Sequence, residues 1–358
     1  MKMQGSRLVR ALALLLLFCC LAGALWGCHR GSDVPLSPGL SMIAGVPVYD
    51  EDVAVKTDRF TVTPGMMAYF FYTYGATVLA GLETQKPFDE SKTLHGQMYS
   101  DTQSFYDVIM SETLAHVSYM LICCEAAHAE GVTLTDAQRQ GVESTVAGYR
   151  TQAAAEYSME LLPYLQALYG PLMTERDLRA VLELETLASS FSTTVSDRLE
   201  AGITAAQIAD RVAQKELSDE TPSRNIAFLF LPFEGGKPAE EKIGEVIGAM
   251  QSAPLAATLQ ARGEGRYGEE KDLTPESSGI DVITRWLFAT ERAVGDWERL
   301  DTEGATYIVI YTGNGISYGE VQARRELFDL AFSTWYNGWV ETLVFGYNYD
   351  CLDSYDVD

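Results

Sequence analysis

The chain has 358 residues and carries 50 Asp and Glu against 26 Lys and Arg, a formal net charge of −24 at neutral pH. A surface of that sign repels nucleic-acid phosphates, which excludes a nucleic-acid partner. The length allows two domains, each with its own core, and a 47% hydrophobic composition supplies the side chains for them.

Lys2, Arg7 and Arg10 precede an apolar run from Ala11 to Phe18 that is too short to span a bilayer comfortably, the pattern of a signal peptide. Leu25-Trp26-Gly27-Cys28 follows and resembles a bacterial lipobox, with an apolar residue three before the Cys and a small one directly before it. Residues 1–27 are therefore expected to be a lipoprotein signal peptide and Cys28 its lipidation site. An uncleaved anchor and plain secretion are the alternatives. Lipidation would hold the protein at the cell membrane, facing the extracytoplasmic side, since each buried methylene contributes about 0.8 kcal/mol and several acyl chains act together. Residues 28–45, with Pro and Gly between Ser32 and Ser41, read as a flexible stalk. Beyond residue 27 there are 23 bases and 50 acids, a net −27 that also favours solubility.

In the body, Val53, Val55, Phe60 and Val62 mark two short strands around a turn at Asp58. Thr63 then caps a helix with Pro64 at its first position. That helix, from Gly65 to about Leu79, is apolar on nearly every side, with Met66, Met67, Tyr69, Phe70, Phe71 and Tyr72. Such a helix belongs in a core or lines a peptide-binding groove, and a core is favoured. A helix from near Thr102 to Glu130 is stopped by Gly131, and Thr135 with Gln138 forms the capping box of another reaching toward Ala155. Leu161–Tyr169 is a short helix closed by Gly170-Pro171. Thr174 with Asp177 and then Thr204 open two more helices, completing an α-helical region over 46–218.

Near Ser218 to Ser223 the pattern changes. Arg224 to Leu231, bounded by Pro222 and Pro232, reads as a strand apolar on both faces. Helices at Lys237–Met250 and Ala256–Arg262, a Gly-rich loop at Gly263–Gly279 and a strand at Thr306–Tyr311 make 219–314 a small α/β insert. Tyr318 to Val344 returns to amphipathic helix, so 315–350 is expected to pack on the first region. The acidic tail, 351–358, is expected to be mobile.

Motifs for hydrolysis are missing, with no G-x-S-x-G and no H-E-x-x-H. His116 and His128 stand twelve residues apart on helical text and point about 120° from each other, so they do not share a metal. Cys123, Cys124 and Cys351, an odd set without C-x-x-C, make no zinc or disulfide framework and read as buried thiols. Gly263-Glu264-Gly265-Arg266-Tyr267-Gly268 matches G-x-G-x-x-G, but a dinucleotide cradle needs a strand before it and a helix after it. Neither neighbour has that character. No cofactor, metal or nucleotide is expected.

The order of elements resembles the PrsA/SurA-like foldases: an exported lipoprotein, a helical module, an α/β insert and a returning helix. Arg224-Asn225-Ile226 is similar to the family's R-H-I-L opening strand. Trp286-Leu287-Phe288 with Gly295-Asp296 is similar to its apolar-aromatic and G-[DE] segment, and Gly304-Ala305-Thr306-Tyr307-Ile308 to its closing G-Y-H strand. Gly131 to Asp136 looks like the family's turn between helices. The resemblance implies an α+β fold in which a chaperone-like N-terminal bundle is completed by a C-terminal helix and carries a parvulin-like insert. It also implies peptidyl-prolyl isomerase chemistry, in which two His sit behind a proline pocket. Here those positions are Asn225 and Thr306, and the pocket walls would be Phe228, Trp286 and Phe288. Neither Asn nor Thr reproduces an imidazole, so isomerase activity is expected to be weak or absent. The expected function is a membrane-anchored chaperone for unfolded exported polypeptides. An active isomerase and a structural or adaptor lipoprotein are the alternatives. A two-lobed solute-binding protein is disfavoured, because alternating β-α text is missing.

Overall fold

The computed structural model describes residues 42–43, 46–47, 53–233, 240–250, 267–277, 281–352 and 355. The expected signal peptide, Cys28, most of the expected stalk and the helix expected at Ala256–Arg262 lie outside the described residues. The chain is α+β and divides into two compact units, one comprising residues up to Leu199 together with those from Ala331, the other Glu200–Leu330.

The first unit begins with the paired strands β1 (Met42–Ile43) and β2 (Val46–Pro47), then β3 (Val55–Lys56) and β4 (Thr61–Val62). The turn between β3 and β4 is held from below by Glu125, a buried carboxylate. It accepts hydrogen bonds from Thr57 Oγ1 at 2.7 Å and the Arg59 amide at 3.0 Å, with the Arg59 guanidinium 3.3 Å away. A buried charge persists only when paired and hydrogen-bonded in this way.

Five helices follow: α1 (Pro64–Glu83), α2 (Phe105–Ala129), α3 (Asp136–Tyr157), α4 (Leu161–Tyr169) and α5 (Glu175–Ala201). Thr63 caps α1, and Thr135 with Gln138 boxes the start of α3, as their sequences predict. Ser104 with Asp107 caps α2, two residues later than the sequence alone suggests. Met66, Met67, Tyr69, Phe70 and Phe71 are all buried, so α1 is a core helix and lines no groove with these side chains. Helix α2 is apolar and long enough by composition to cross a membrane, but half of its most apolar stretch is buried within the protein. Its Val117, Leu121, Cys123 and Cys124 belong to the same core as α1, and burial pushes both thiols up.

The C-terminal residues depart from expectation. Gly346–Tyr347 forms β9, which extends the small sheet to the order β4-β3-β9, and Tyr349–Leu352 is a single helical turn, α10. Leu352 and Tyr355 are buried. The Tyr355 ring stacks on Phe71, its hydroxyl donates to the Pro64 carbonyl, and Tyr106 donates to the Leu352 carbonyl. Leu352 and Tyr355, within an acidic segment read as mobile, are therefore anchored. Two large apolar side chains among the acids outweigh the charge, because burying each is worth roughly 2 kcal/mol or more.

The second unit opens with α6 (Ala205–Lys215), capped by Thr204 with Gln207. Its four-stranded sheet has the order β6-β5-β8-β7 and is antiparallel throughout: β5 (Pro222–Pro232), β6 (Tyr267–Leu273), β7 (Trp297–Asp301) and β8 (Ala305–Ser317). Helix α7 (Glu240–Met250) covers one face, where Ile243 and Val246 meet Leu229, Ile308 and Ile310. Helix α8 (Asp281–Ala289) covers the other, where Ile283, Trp286 and Leu287 meet Ile226, Val309 and Tyr311. Coverage on both faces explains why Ile226–Leu231 of β5 reads as apolar on both sides.

Strands β6 and β7 are corrections to the sequence reading, which placed a loop over Gly263–Gly279 and no strand between that loop and Thr306. Tyr267-Gly-Glu-Glu-Lys-Asp-Leu273 and Trp297-Glu-Arg-Leu-Asp301 are edge strands, and charged side chains on an edge suit solvent and discourage further pairing. The last helix, α9 (Tyr318–Val340), crosses the boundary between the units. In its second half Phe332 is buried, with Tyr119 and Trp335 beside it.

Candidate functional site

The two positions that the resemblance pairs are not neighbours. Asn225 stands opposite Gly313 and Thr306 opposite Leu231 in the β5–β8 ladder. Leu231 is six residues beyond Asn225, so the two side chains are about 20 Å apart along the strands at roughly 3.3 Å per residue. They cannot act on one peptide bond. Sequence matching alone could not detect this, because strand register is set by pairing.

Each of the two side chains is already engaged. Asn225 sits at a register shift in β5. Its Oδ1 accepts from the Asp272 amide at 2.8 Å and its Nδ2 donates to the Asn314 carbonyl at 3.1 Å, stitching three strands across the irregularity. Asp272 has a positive φ of 57°, a conformation that Asp and Asn tolerate better than most residues. Its carboxylate accepts from Ser223 Oγ at 3.2 Å, the Ile316 amide at 3.1 Å and Arg324 at 2.9 Å. The sequence reading singled out neither Asp272, Ser223 nor Arg324. The one available signal was an Asp two residues before Thr274-Pro275.

Thr306 is buried and its hydroxyl donates to Asp301 at 2.5 Å. Burial raises the Asp301 carboxyl, but the Thr306 and Arg299 hydrogen bonds outweigh it and hold the group below the usual carboxylate range. Arg299 also pairs with Glu240 of α7 at 2.8 Å, tying that helix to the edge strand β7.

Phe228, Trp286 and Phe288 do come together, in the layer between the sheet and α8. Trp286 is buried, and the other two are partly exposed. Gly268 of β6 lies directly beneath Phe228, where an added Cβ would come within 2.5 Å of the ring. This explains the last Gly of the G-x-G-x-x-G match as a packing requirement of a strand. Gly263 and Gly265 lie outside the described residues.

Two arginines cover this aromatic group: Arg224, which the sequence marked only as the start of a strand, and Arg292, which it did not mark. Arg224 lies 5.0 Å over the Phe288 ring and donates to the Leu287 and Thr290 carbonyls. Arg292 lies 4.4 Å over Trp286 and donates to the Trp286 carbonyl at 2.6 Å. Both satisfy carbonyls at the C-terminal end of α8, where a cation also complements the helix dipole. Trp286 Nε1 and Arg292 Nε are buried without a hydrogen-bond partner. Such donors are costly to leave unmade.

Among the described residues no group of three or more His, Cys, Asp or Glu is placed to hold a metal ion. His116 is half-buried, stacked on Tyr74 at 4.3 Å, and desolvation brings its imidazole down to about 4. Within the second unit, Asn225 with Asp272 and Thr306 with Asp301 form braces between strands of the sheet.

No family model and no curated protein matches the chain. Among solved structures it is similar to the foldase PrsA of Streptococcus pneumoniae, at 15% identity over 64% of this chain and 80% of that one, with a TM-score of 0.27. PrsA of Bacillus subtilis is similar at 13% identity over 68% and 87%, with a TM-score of 0.28. A structure from Campylobacter jejuni, reported with two structurally related SurA-like chaperones, is similar at 10% identity over 83% and 98%, with a TM-score of 0.23. Likenesses this weak carry no argument about chemistry or partners.

Proposed function

We propose that the mature protein is a chaperone or foldase, tethered outside the cytoplasm through a lipid on Cys28, that binds unfolded exported polypeptides. In this reading the sheet-bearing insert is a parvulin-like domain with a degenerate site that serves as a binding scaffold. The helical region 46–218 and the returning segment 315–350 form its chaperone module. The observation that carries the reading is the engagement of Asn225 and Thr306 in separate structural hydrogen bonds, about 20 Å apart along the sheet. Rotating a prolyl amide must overcome about 18–20 kcal/mol, and lowering that barrier requires groups arranged around one bond. Binding requires only exposed apolar surface, and Met98, Met159, Leu162, Leu172 and Val294 are each at least 40% exposed. Release would follow from folding of the client, without nucleotide.

The test is suppression of aggregation of a chemically unfolded model protein by the soluble mature chain at near-stoichiometric amounts. No suppression at large excess would overturn the proposal. Exchange spectroscopy on Xaa-Pro peptides tests the degenerate site separately, and unchanged cis/trans exchange in a folded sample is expected. Acylation is tested by mass spectrometry of the N-terminal peptide and by release of a Cys28→Ser variant from the membrane fraction.

A further inference from the structure

The most unusual surface of the first unit is the outward side of α4. From Leu161 to Met173 the chain has no charged residue, in a protein where 21% of residues are charged. Leu161, Tyr164, Leu165 and Tyr169 point inward and are buried. Leu162, Pro163, Gln166 and Ala167 are exposed, within an arc of about 140° on the helix at about 100° per residue. Leu162 is 46% exposed, and Met159 just before the helix and Leu172 just after it are 40% and 54% exposed. Gln166 Nε2 donates to the Pro171 carbonyl at 3.2 Å and so holds the turn bearing Leu172 against this side of α4.

Charge decides what such a surface can take. Its nearest charged neighbours in sequence on the N-terminal side, Glu156 and Glu160, are exposed acids. Several bases of this unit are paired with acids, Arg150 and Arg179 with Glu175, Arg179 also with Glu143, and Arg198 with Glu130, while Arg176, past Leu172, is exposed between Glu175 and Asp177. A second copy would bring the same acidic rim and its own large negative charge, which opposes self-association. An unfolded segment with aliphatic side chains beside Lys or Arg meets both the apolar centre and the acidic rim.

We propose that the outward face of α4, with Met159 and Leu172, is the docking surface for aliphatic segments of unfolded chain flanked by Lys or Arg. The proposal rests on the chaperone reading and names the client chemistry. Rim acids raise the encounter rate and select against acidic segments, while Leu162 and Leu172 supply the apolar contact.

Fluorescence anisotropy with a short labelled peptide, Leu-rich at its centre and carrying Lys at both ends, tests it beside a counterpart carrying Glu at both ends. The soluble mature protein is expected to bind the Lys peptide at least about ten-fold more tightly, with the difference shrinking at high salt. A Met159→Gln, Leu162→Ser, Leu172→Ser variant changes only exposed side chains and is expected to lose about ten-fold in affinity with an unchanged melting temperature. Glu156→Gln with Glu160→Gln provides a second, structurally milder variant, because Glu160 makes no side-chain capping bond to α4. That pair is expected to narrow the preference for Lys over Glu. If wild type binds and suppresses aggregation while both variants match it, the docking surface is wrong and the chaperone reading stands. If wild type does neither, both fail. A concentration-dependent dimer in sedimentation velocity that disappears in the triple variant would overturn the proposal in favour of an interface between copies.

Discussion

The Tyr355 hydroxyl donates a hydrogen bond to the Pro64 carbonyl at 2.8 Å, joining residues 291 apart at the mouth of the first unit's core. Its ring stacks on Phe71, and Cys351 Sγ lies 3.2 Å from the same hydroxyl. Tyr355→Ala is expected to destabilise the protein by about 3–5 kcal/mol through the cavity it leaves, and Tyr355→Phe by about 1 kcal/mol through the lost hydrogen bond. Urea denaturation of the full mature chain measures both. Wild-type stability for Tyr355→Ala would show that this residue is not anchored.

Glu185 of α5 receives one hydrogen bond, from Tyr69 of α1 at 3.3 Å, and burial raises its carboxyl to about 7. The phenols of Tyr169 and Tyr149 complete the cluster, 3.0 Å from each other. Because the folded form holds the proton more tightly, this contribution to stability is fully present below about pH 4.5 and is lost as pH rises through about 7. His116 has the opposite sign. Its imidazole is brought down to about 4 by burial, so its contribution is present above about pH 6.5 and lost as pH falls toward 4. Thermal melts are therefore expected to show Glu185→Gln more stable than wild type at about pH 8, by up to roughly 3 kcal/mol, and level with it near pH 4. An identical pH profile for variant and wild type would contradict the assignment.

Asn225→Ala removes the partner of the Asp272 amide and the donor to Asn314. A loss of about 1 kcal/mol in stability is expected, since the half-buried Asp272 amide loses its acceptor. Aggregation suppression, measured at a temperature where the variant is folded, is expected to match wild type. A variant with wild-type stability and lost activity would return Asn225 to a functional role.

Gly268→Ala places a methyl group against the Phe228 ring, whose nearest atom is 2.5 Å from the added Cβ. Overpacking of this kind costs about 1–3 kcal/mol, and Phe228→Leu in the same chain is expected to recover part of it. A double-mutant cycle in chemical denaturation reads the coupling. Additive effects would mean that the two residues do not touch.

What the sequence determined by itself is local. Thr63, Thr135 and Thr204 announce their helices because a capping side chain bonds an amide three residues on, and Gly170 ends α4 through a positive φ that Gly adopts freely. The apolar run from Ile226 to Leu231 likewise announces a strand covered on both faces. Tertiary structure decided the rest. Tyr267–Leu273 and Trp297–Asp301 become strands only because β5 and β8 offer them backbone partners, and their charged side chains carry no alternation that would reveal it. The same ladder separates Asn225 from Thr306, and contacts with residues some 290 positions earlier bury Tyr355. Capping bonds close within three or four residues and can be read from a window of that size. Register and burial are settled by contacts whose two halves are distant in the chain, so neither half carries the information alone.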